Sequence, residues 1–373
     1  MMTAIKVVAQ EPITFPHPSH ASEEGHTADI YSIAVSANHL ISCSRDRTIR
    51  IWNLSDHRLA HPPLREHASS VLCCKIHEES DLFVTSEVDG FVELWRLSTA
   101  QLVKKWKAHA DSVLSLALGG EVLVTGSRDK SIKAWSVAQL LLSSRAEAAG
   151  GDTTTADVDD DDNTAEPEPL RTIGAATAAV NDVALAADEK SVFAGSGDGS
   201  LRQWYLSSSS GDEKPSRDFE SPGGGGGGCR RRGICSLSLT RNGKRLVSGH
   251  SDGKLRVFDV ERATELMCID AHGTCLTRSV CTGEVDKATG GREEVVLSGS
   301  YDGTVKVWME REEGKWESVA VMRFQQEMAI PANESPTDDN RILSVALSEN
   351  MVFYCGQSPY IFGRRIEHRA DAS

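Results

Sequence analysis

Three residues of the types found in a hydrolytic triad lie in the C-terminal half of the chain. Ser298 and Asp302 are four residues apart in "SGSYDGTVKVW", and His272 precedes them in "DAHG". A histidine that takes the serine proton and an aspartate that orients the histidine would together activate a nucleophile. The same residue types can also form a structural hydrogen-bonded network, and their recurrence along the chain decides between the two interpretations.

The segment around Asp302 is the last of six similar segments. Each has an apolar run ending in a small residue, a turn signal at an aspartate, and an alternating run ending in an aromatic residue. Another alternating run precedes each copy and a fourth often follows, so each repeat of about 40 residues contains four short strands, as a β-propeller blade does. The aspartate and the aromatic residue are six positions apart in every copy: Asp46/Trp52, Asp89/Trp95, Asp129/Trp135, Asp198/Trp204, Asp252/Phe258 and Asp302/Trp308.

These repeats resemble those of the WD-repeat family, and the resemblance covers nearly the whole chain. In that family a histidine before the first strand, a Ser or Thr on the second, the turn aspartate and the third-strand tryptophan form a hydrogen-bonded tetrad. Blade 4 departs from the pattern with Ala194 at the hydroxyl position and blade 5 with Phe258 for tryptophan, and neither has the histidine. The resemblance implies tetrads in blades 1, 2, 3 and 6: His26/Ser42/Asp46/Trp52, His67/Thr85/Asp89/Trp95, His109/Thr125/Asp129/Trp135 and His272/Ser298/Asp302/Trp308.

The triad of residue types is therefore present four times, each time with a tryptophan as fourth member. A catalytic site is normally unique in a chain, whereas a structural device repeats. Buried indole, hydroxyl, imidazole and carboxylate groups must all be paired, and a closed network of them holds each turn and strand in place. We interpret these residues as structural and expect that the protein is not an enzyme.

The two ends of the chain predict how the ring closes. Residues 341–366 contain three strand-like runs without the aspartate and tryptophan, and "AIKVVAQ" (4–10) stands alone at the other end. WD-repeat propellers usually pair an N-terminal strand into the last blade, which removes open sheet edges. We expect an all-β fold: a single seven-bladed WD-repeat β-propeller over residues 1–373, with 4–10 as the outer strand of blade 7. A six-bladed ring is the alternative.

Three segments interrupt the repeats. Residues 143–169 contain an acidic run, from Glu147 to Glu168, without Lys or Arg and are poor in apolar groups, which predicts a disordered acidic insert. Residues 207–232 are rich in Ser and Gly, end in Arg230, Arg231 and Arg232, and are predicted to be a disordered linker. Residues 325–340 are predicted to be a loop.

The formal net charge of −14 argues against nucleic acid as the main partner, except through the three arginines.

Composition indicates a globular chain without a membrane span. Apolar residues make up 39% and charged residues 25%, and no run of eighteen apolar residues occurs. Nine cysteines without a CxxC pair indicate reduced thiols, as in the cytoplasm or nucleus. Cys268, Cys275 and Cys281 lie near His272, but that histidine is assigned to a tetrad and alternation puts the cysteines on different faces. We therefore expect no metal and no cofactor.

A propeller without a catalytic constellation is most often a rigid platform for partners. The resemblance implies contacts on the top face at two positions per blade: the residue before the turn aspartate and one near the start of the innermost strand. Arg45 and Arg128 resemble the arginine with which phosphopeptide-reading members recognise substrates, and a guanidinium pairs bidentately with phosphate. The alternative is that they are ordinary surface arginines at turns. The predicted partner-binding residues are Tyr31, Arg45, Leu72, Leu114, Arg128, Asn181 and Tyr301, within a wider set that includes Val88, Gly197, Cys235, Ser251, Thr277 and Leu343.

The predicted function is a scaffold or adaptor that binds a peptide or protein, phosphorylated partners included, on the top face. We expect a monomeric propeller within a larger complex, such as a substrate receptor. "GHTADIYSIAV" and "SRDRTIRIW" resemble repeats of the substrate-receptor branch of ubiquitin ligases, although no F-box-like helical segment precedes them. The alternative is a structural subunit of an RNA-processing or RNA-decay complex, in which the arginine loop touches RNA.

Overall fold

The strands of the protein form seven antiparallel sheets arranged as the blades of a ring. The structure is a computed structural model, and in every sheet except the one that contains β1 the strands pair with their neighbours in sequence order. It describes residues 3–8, 12–17, 24–148, 166–174, 177–206, 217–219, 232–287, 290–312, 314–327 and 340–370.

The elements follow the predicted order of four short strands per repeat. The first half contains β1 (Thr3–Val7), β2 (Ile13–Phe15), β3 (Ile30–Val35), β4 (His39–Ser44), β5 (Ile49–Asn53), β6 (Val71–His77), β7 (Leu82–Glu87), β8 (Phe91–Arg96), β9 (Leu102–Lys107), β10 (Val113–Leu118), β11 (Val122–Ser127), β12 (Ile132–Ser136), the helix α1 (Val137–Ala148), β13 (Arg171–Ile173) and β14 (Val180–Leu185). The second half contains β15 (Ser191–Ser196), β16 (Leu201–Tyr205), β17 (Arg217–Asp218), β18 (Ile234–Leu239), β19 (Arg245–His250), β20 (Lys254–Asp259), β21 (Thr264–Asp270), β22 (Thr277–Asp286), β23 (Arg292–Ser300), β24 (Thr304–Glu312), β25 (Lys315–Arg323), the short helix α2 (Phe324–Glu327), β26 (Ile342–Ser348), β27 (Met351–Gly356) and β28 (Ile361–Ala370).

Seven blades result, which confirms the predicted seven-bladed propeller. Blade 1 is β3–β5, with Leu59 and Leu64 making isolated bridges at the outer position, and blades 2 to 6 are β6–β9, β10–β13, β14–β17, β18–β21 and β22–β25. Blade 7 is β26–β28 together with β1 and β2. Each innermost strand contacts the innermost strands of the two neighbouring blades, so the ring is closed and the order of the blades follows the chain.

The hydrophobic core lies between successive blades. Trp95 of blade 2 packs with Ile41 and Ile51 of blade 1, and the same arrangement repeats around the ring. In blade 7 the aromatic position is taken by Phe362, which packs against blade 6. Because both faces of every blade are covered, the second and third strands are apolar and almost fully buried, as in "HLISCS" and "IRIWN".

A one-residue bulge lies near the start of every innermost strand. The pairing register between first and second strands shifts by one residue at this point in all seven blades. A bulge leaves one residue out of the ladder and turns its side chain away from the sheet. The bulged residues are Tyr31, Leu72, Leu114, Asn181, Cys235, Arg278 and Leu343.

In six of the seven blades the residue after the bulge bonds to the next blade, and together these bonds form a belt around the channel. Its side chain accepts a hydrogen bond from a backbone N–H of the following innermost strand. The N–H of Val183, for example, donates to Ser115 Oγ at 3.0 Å, and that of Leu237 donates to Asp182 Oδ2 at 2.7 Å. The acceptors are Ser32, Ser115, Asp182, Ser236, Ser279 and Ser344, one from every blade except blade 2, where Cys73 stands at this position.

The N-terminal strand closes the ring as predicted. β1 pairs antiparallel with the C-terminal half of β28, from Thr3 opposite Ala370 to Val7 opposite Ile366. β2, which was not predicted from the sequence, pairs with the N-terminal half of the same strand, and Phe15 is fully buried there. Two N-terminal segments therefore cover the edge that blade 7 would otherwise expose.

The structure corrects the predicted bounds of the inserts. Helix α1 extends to Ala148 and so covers the start of the acidic insert 143–169, of which residues 149–165 lie outside the described residues. Within 207–232, predicted to be a linker, β17 pairs with β16 as the outer strand of blade 4, and the adjacent Phe219 is buried against the rings of Phe193 and Phe258. Helix α2 includes the first residues of 325–340, and residues 328–339 lie outside the described residues.

We expect Asp182→Ala to destabilise the ring. The two carboxylate oxygens accept bonds from the hydroxyls of Ser115 and Ser236 and from the N–H of Leu237, so the truncation leaves three buried donors without an acceptor. The free energy of unfolding should fall by about 3 kcal/mol in chemical denaturation. Asp182→Ser, which restores the hydroxyl that most other blades carry, should lose much less. Equal stability of the two variants would contradict the belt.

Candidate functional site

Blades 1, 3 and 6 bring their four predicted tetrad residues together. In blade 6, His272 Nδ1 lies 2.9 Å from Asp302 Oδ2, His272 Nε2 lies 2.8 Å from Ser298 Oγ, and Trp308 Nε1 donates to the same hydroxyl at 2.8 Å. The corresponding bonds join His26, Ser42, Asp46 and Trp52 in blade 1 and His109, Thr125, Asp129 and Trp135 in blade 3.

The tetrad resembles a hydrolytic triad in connectivity but not in access. With a neutral ring, the indole N–H donates to the hydroxyl, the hydroxyl donates to Nε2, and Nδ1–H donates to the carboxylate, so every hydrogen is used. Burial lowers the pKa of His26 to about 4, which keeps the ring neutral at pH 7. The hydroxyl is fully buried in all three blades and its acceptor position is taken by the tryptophan. A substrate carbonyl cannot reach it, so these residues serve as structural networks.

Blade 2 does not form the predicted tetrad, which corrects the prediction for His67 and Asp89. Trp95 Nε1 donates to Thr85 Oγ1 at 3.1 Å, but His67 Nδ1 faces Glu87 Oε1 at 3.2 Å and Glu93 Oε2 at 2.8 Å. Burial lowers the pKa of His67, but the two adjacent carboxylates outweigh it and raise the pKa to about 9. In the other networks a serine stands two residues before the turn aspartate, and in blade 2 this position is Glu87. His67 bonds this carboxylate instead of the turn aspartate. Among the described residues, Asp89 Oδ1 has no hydrogen-bond partner.

Blades 4 and 5 depart from the tetrad in different ways. In blade 4 the alanine at position 194 offers no acceptor, and Trp204 Nε1 has no hydrogen-bond partner among the described residues. In blade 5, Ser248 Oγ bonds His250 Nε2 at 2.7 Å, and His250 Nδ1 lies 3.3 Å from the carbonyl oxygen of Arg232. Sequence reasoning missed His250 because it searched only before the first strand. A histidine two residues after the strand hydroxyl was the available signal.

The predicted top-face residues surround one mouth of the central channel. The top face is the side of the ring that carries the turns between the second and third strands of each blade, and the bottom face is the opposite side. Tyr31, Leu72, Leu114 and Asn181 line the channel, whose cavity measures about 260 Å³. Asn181 Nδ2 also donates to the carbonyl oxygen of Ile234 at 2.7 Å, which ties it to blade 5.

The two predicted arginines extend from the top-face turns. The side chains of Arg45 and Arg128 are 65% and 68% exposed. Each lies 3.9 Å from one aspartate, Asp29 and Asp111 respectively, and exposed pairs at such a distance hold a side chain only weakly. Their guanidinium groups are therefore accessible on this face.

The structure adds two arginines to the top face. Arg341 lies over the ring of Tyr301 with 5.0 Å between the guanidinium carbon and the ring centre. Arg278 is the bulged residue of blade 6, so the assignment of Thr277 to that position is wrong by one residue, and Thr277 is fully buried. Neither arginine was predicted from the sequence. The bulge shifts the register at Arg278, and the segment before β26 that contains Arg341 has no counterpart in the other repeats.

The family model described as "WD domain, G-beta repeat" matches six stretches that together cover more than half of the chain, residues 19–53, 60–96, 100–136, 167–205, 228–259 and 266–309. The protein belongs to the WD-repeat family. The matches coincide with blades 1 to 6, and the seventh blade comes from the structure.

Several curated proteins are similar to this WD-repeat protein at low identity. A p21-activated protein kinase-interacting protein 1-like from Gallus gallus is 25% identical over 120 residues, 32% of this chain and 32% of that protein. The WD repeat-containing protein pop2 from Schizosaccharomyces pombe is 26% identical over 149 residues, 31% and 21% of the two chains. The ribosome biogenesis protein YTM1 from Coccidioides immitis is 24% identical over 304 residues, 76% and 60%. The chain thus spans between about a fifth and three fifths of these relatives' length.

In the part of the chain that the structure describes, no helix is long and apolar enough to cross a membrane.

We expect Asp302→Ala to lower the free energy of unfolding by about 2 kcal/mol, because His272 loses its acceptor and the Thr304 N–H loses its 2.8 Å bond. The matched change Asp252→Ala in blade 5 removes a turn aspartate that bonds Lys254 N at 3.3 Å and holds no histidine, so it should cost less. Denaturant titration of both variants measures the difference. Equal losses would mean that the network adds nothing to the turn.

Acid should destabilise the protein partly through His250. Burial lowers the pKa of this histidine from 6.5 to about 4, so between these values the unfolded chain binds a proton that the folded chain does not. The free energy of unfolding therefore falls as the pH drops from 6.5 to 4, by about 3 kcal/mol from this group. His250→Asn should be less stable at pH 7.5 but should lose less between pH 6.5 and 4. An unchanged slope would contradict this assignment.

Proposed function

We propose that this WD-repeat protein is a non-enzymatic scaffold that binds a peptide or protein on its top face. The observation that carries the proposal is the set of side chains around the channel mouth. Tyr31 and Tyr301 supply aromatic surface, Leu72 and Leu114 supply apolar surface, and Arg45 supplies an accessible charge. Tyrosine and arginine beside aliphatic groups is the composition of an interface hot spot.

The rigidity of this surface supports the same function. Each bulged residue is next to a residue of the belt, so its backbone is held in place. Binding of a partner therefore has to restrict few side chains and none of the described inner strands. A pre-ordered surface loses less entropy on association than a flexible one, and more of the contact energy appears as affinity. Rigid presentation suits recognition of an extended segment laid across the mouth.

The charges at the mouth favour a partner that carries negative charge. Arg45 and Arg128 project from different blades, while Arg278 and Arg341 extend the positive surface toward blades 6 and 7. A phosphorylated or acidic peptide would complement them, because each guanidinium can pair bidentately with an oxyanion. We further propose that the protein is a monomeric propeller in a larger complex in the cytoplasm or nucleus, as a substrate receptor would be.

A second candidate is a structural role in an RNA-containing assembly. The relative named ribosome biogenesis protein YTM1 aligns over 76% of this chain, which is the observation in favour. In this candidate the propeller positions protein neighbours, and Arg230, Arg231 and Arg232 touch RNA; the first two lie outside the described residues. At 24% identity the relative's role is carried over only as a hypothesis.

Reversing charge on the top face should remove the main partner. We expect the double variant Arg45→Glu/Arg128→Glu to lose one prominent protein when the tagged full chain is purified from cells and its partners are identified by mass spectrometry. Both side chains are exposed, so the melting temperature should stay within a degree or so of wild type.

The matched control places the same two changes on the bottom face, at Arg241 and Arg292, whose side chains are 72% and 55% exposed. It should keep the wild-type partner list. An unchanged list for the top-face variant would overturn the proposal. Recovery of RNA whose binding falls steeply with salt, and is abolished by changing the three arginines at 230–232, would support the second candidate instead.

A further inference from the structure

Blade 2 carries a buried charged cluster at the place where blades 1, 3 and 6 have their tetrads. Two positions distinguish it. Two residues before the turn aspartate, the other three blades have Ser44, Ser127 and Ser300, and blade 2 has Glu87. Four residues after the aspartate, the others have Arg50, Lys133 and Lys306, and blade 2 has Glu93. Two neutral or basic side chains are thus replaced by two carboxylates around the same histidine.

The donor atoms of this cluster converge on one point. His67 Nδ1 lies 3.2 Å from Glu87 Oε1 and 2.8 Å from Glu93 Oε2, and all three ligand atoms lie within 4.8 Å of one another. The side chains are 0%, 0% and 1% exposed. Three separate parts of the blade supply them: the segment before β6, the end of β7, and β8.

Hydrogen bonding leaves one of these atoms unsatisfied. A neutral or protonated imidazole has a single proton on Nδ1, and it points to Glu87. Glu93 Oε2 lies against the same nitrogen off the N–H axis and has no hydrogen-bond partner among the described residues, although it is fully buried. A buried carboxylate oxygen without a donor is costly, so its position calls for a positive ligand.

We propose that His67, Glu87 and Glu93 bind a divalent transition-metal ion, with Zn²⁺ as the first candidate. One imidazole nitrogen and two carboxylate oxygens are a donor set that this class of ion accepts. Four ligands about 2 Å from zinc in a tetrahedron stand about 3.4 Å apart, so the separations of His67 Nδ1 from the two carboxylate oxygens, 3.2 Å and 2.8 Å, need to widen by about 0.2 Å and 0.6 Å. The ion takes the place of the Nδ1 proton, and a water molecule supplies the fourth ligand.

Lys105 sets the affinity of this site. Its ammonium lies 2.8 Å from Glu87 Oε1 and 2.6 Å from Glu93 Oε1, so it bonds one of the three proposed ligand atoms and the other oxygen of Glu93. The lysine side chain is 29% exposed, which gives the cluster a path to solvent. A metal ion must therefore bind beside a positive charge, and removal of that charge should tighten binding.

The site goes beyond the scaffold function and beyond what the sequence predicted, which was no metal. It gives blade 2 a replacement for its missing tetrad, because a metal bound by these residues joins the same three pieces of chain that the tetrad joins in blades 1, 3 and 6. Its role would be structural, with the first three ligands supplied by the protein and no exposed surface for a substrate.

Zinc titration of the chelator-treated full chain tests the proposal. Competition with a chromophoric chelator should show one Zn²⁺ per chain, and zinc should raise the melting temperature. Glu93→Gln keeps the shape of the side chain and should weaken binding about 100-fold or more and abolish the zinc-dependent rise. Co²⁺ should give the visible spectrum of a four-coordinate ion without a thiolate charge-transfer band, since no cysteine belongs to the donor set.

Two further variants keep the test decisive. Glu78→Gln removes a carboxylate that bonds His39 at 3.2 Å on the bottom face, a histidine–glutamate pair without a second carboxylate, and should bind zinc as wild type does. Lys105→Gln should bind zinc at least tenfold more tightly than wild type. If the cluster is only an ion-pair network, Lys105→Gln will be less stable and zinc will not restore it. That result, or equal zinc binding by wild type and Glu93→Gln, would overturn the proposal.

Discussion

The belt of six hydrogen bonds described between innermost strands is the constraint on which the rest of the structure depends. Each bond joins a side chain just after a bulge to the backbone of the next blade, so the bulge, the bond and the position of the next blade are fixed together. The bulged residue itself is turned to the channel mouth. The geometry that closes the ring therefore also arranges the surface we propose for recognition, with Tyr31, Leu72 and Arg278 at equivalent positions.

The polar networks within blades vary far more than the belt does. Blades 1, 3 and 6 have Trp–Ser/Thr–His–Asp tetrads, blade 2 has a histidine between two glutamates, and blade 5 has a local Ser248–His250 pair. Blade 4 leaves its tryptophan N–H without an acceptor among the described residues. All of these blades nevertheless pack a large aromatic side chain against the preceding blade. Packing between blades and the belt thus define the fold, and each network adds local stability to one turn.

Much of this architecture could be predicted from the sequence because period and turn signals repeat. The number of blades, their boundaries and the closing N-terminal strand all follow from patterns that extend over many residues. Features set by single residues could not be predicted. Because of a one-residue bulge, Arg278 and not Thr277 occupies the top-face position of blade 6. In blade 2, His67 pairs with Glu87 and not with Asp89, although both predicted tetrad residues are present in the sequence. The burial of Phe219 was not predicted, because the average composition of a Ser- and Gly-rich segment does not reveal a single aromatic side chain that packs into the core.

The central claim is that partners bind across the channel mouth on the top face. Hydrogen–deuterium exchange of the protein, alone and in the complex purified from cells, measures this most directly because it reports every backbone segment at once. We expect slower exchange on complex formation in the top-face segments around Tyr31, Arg45, Arg128 and Tyr301, with the bottom-face turns unchanged. Protection confined to the bottom-face turns or to the outer strands would contradict it.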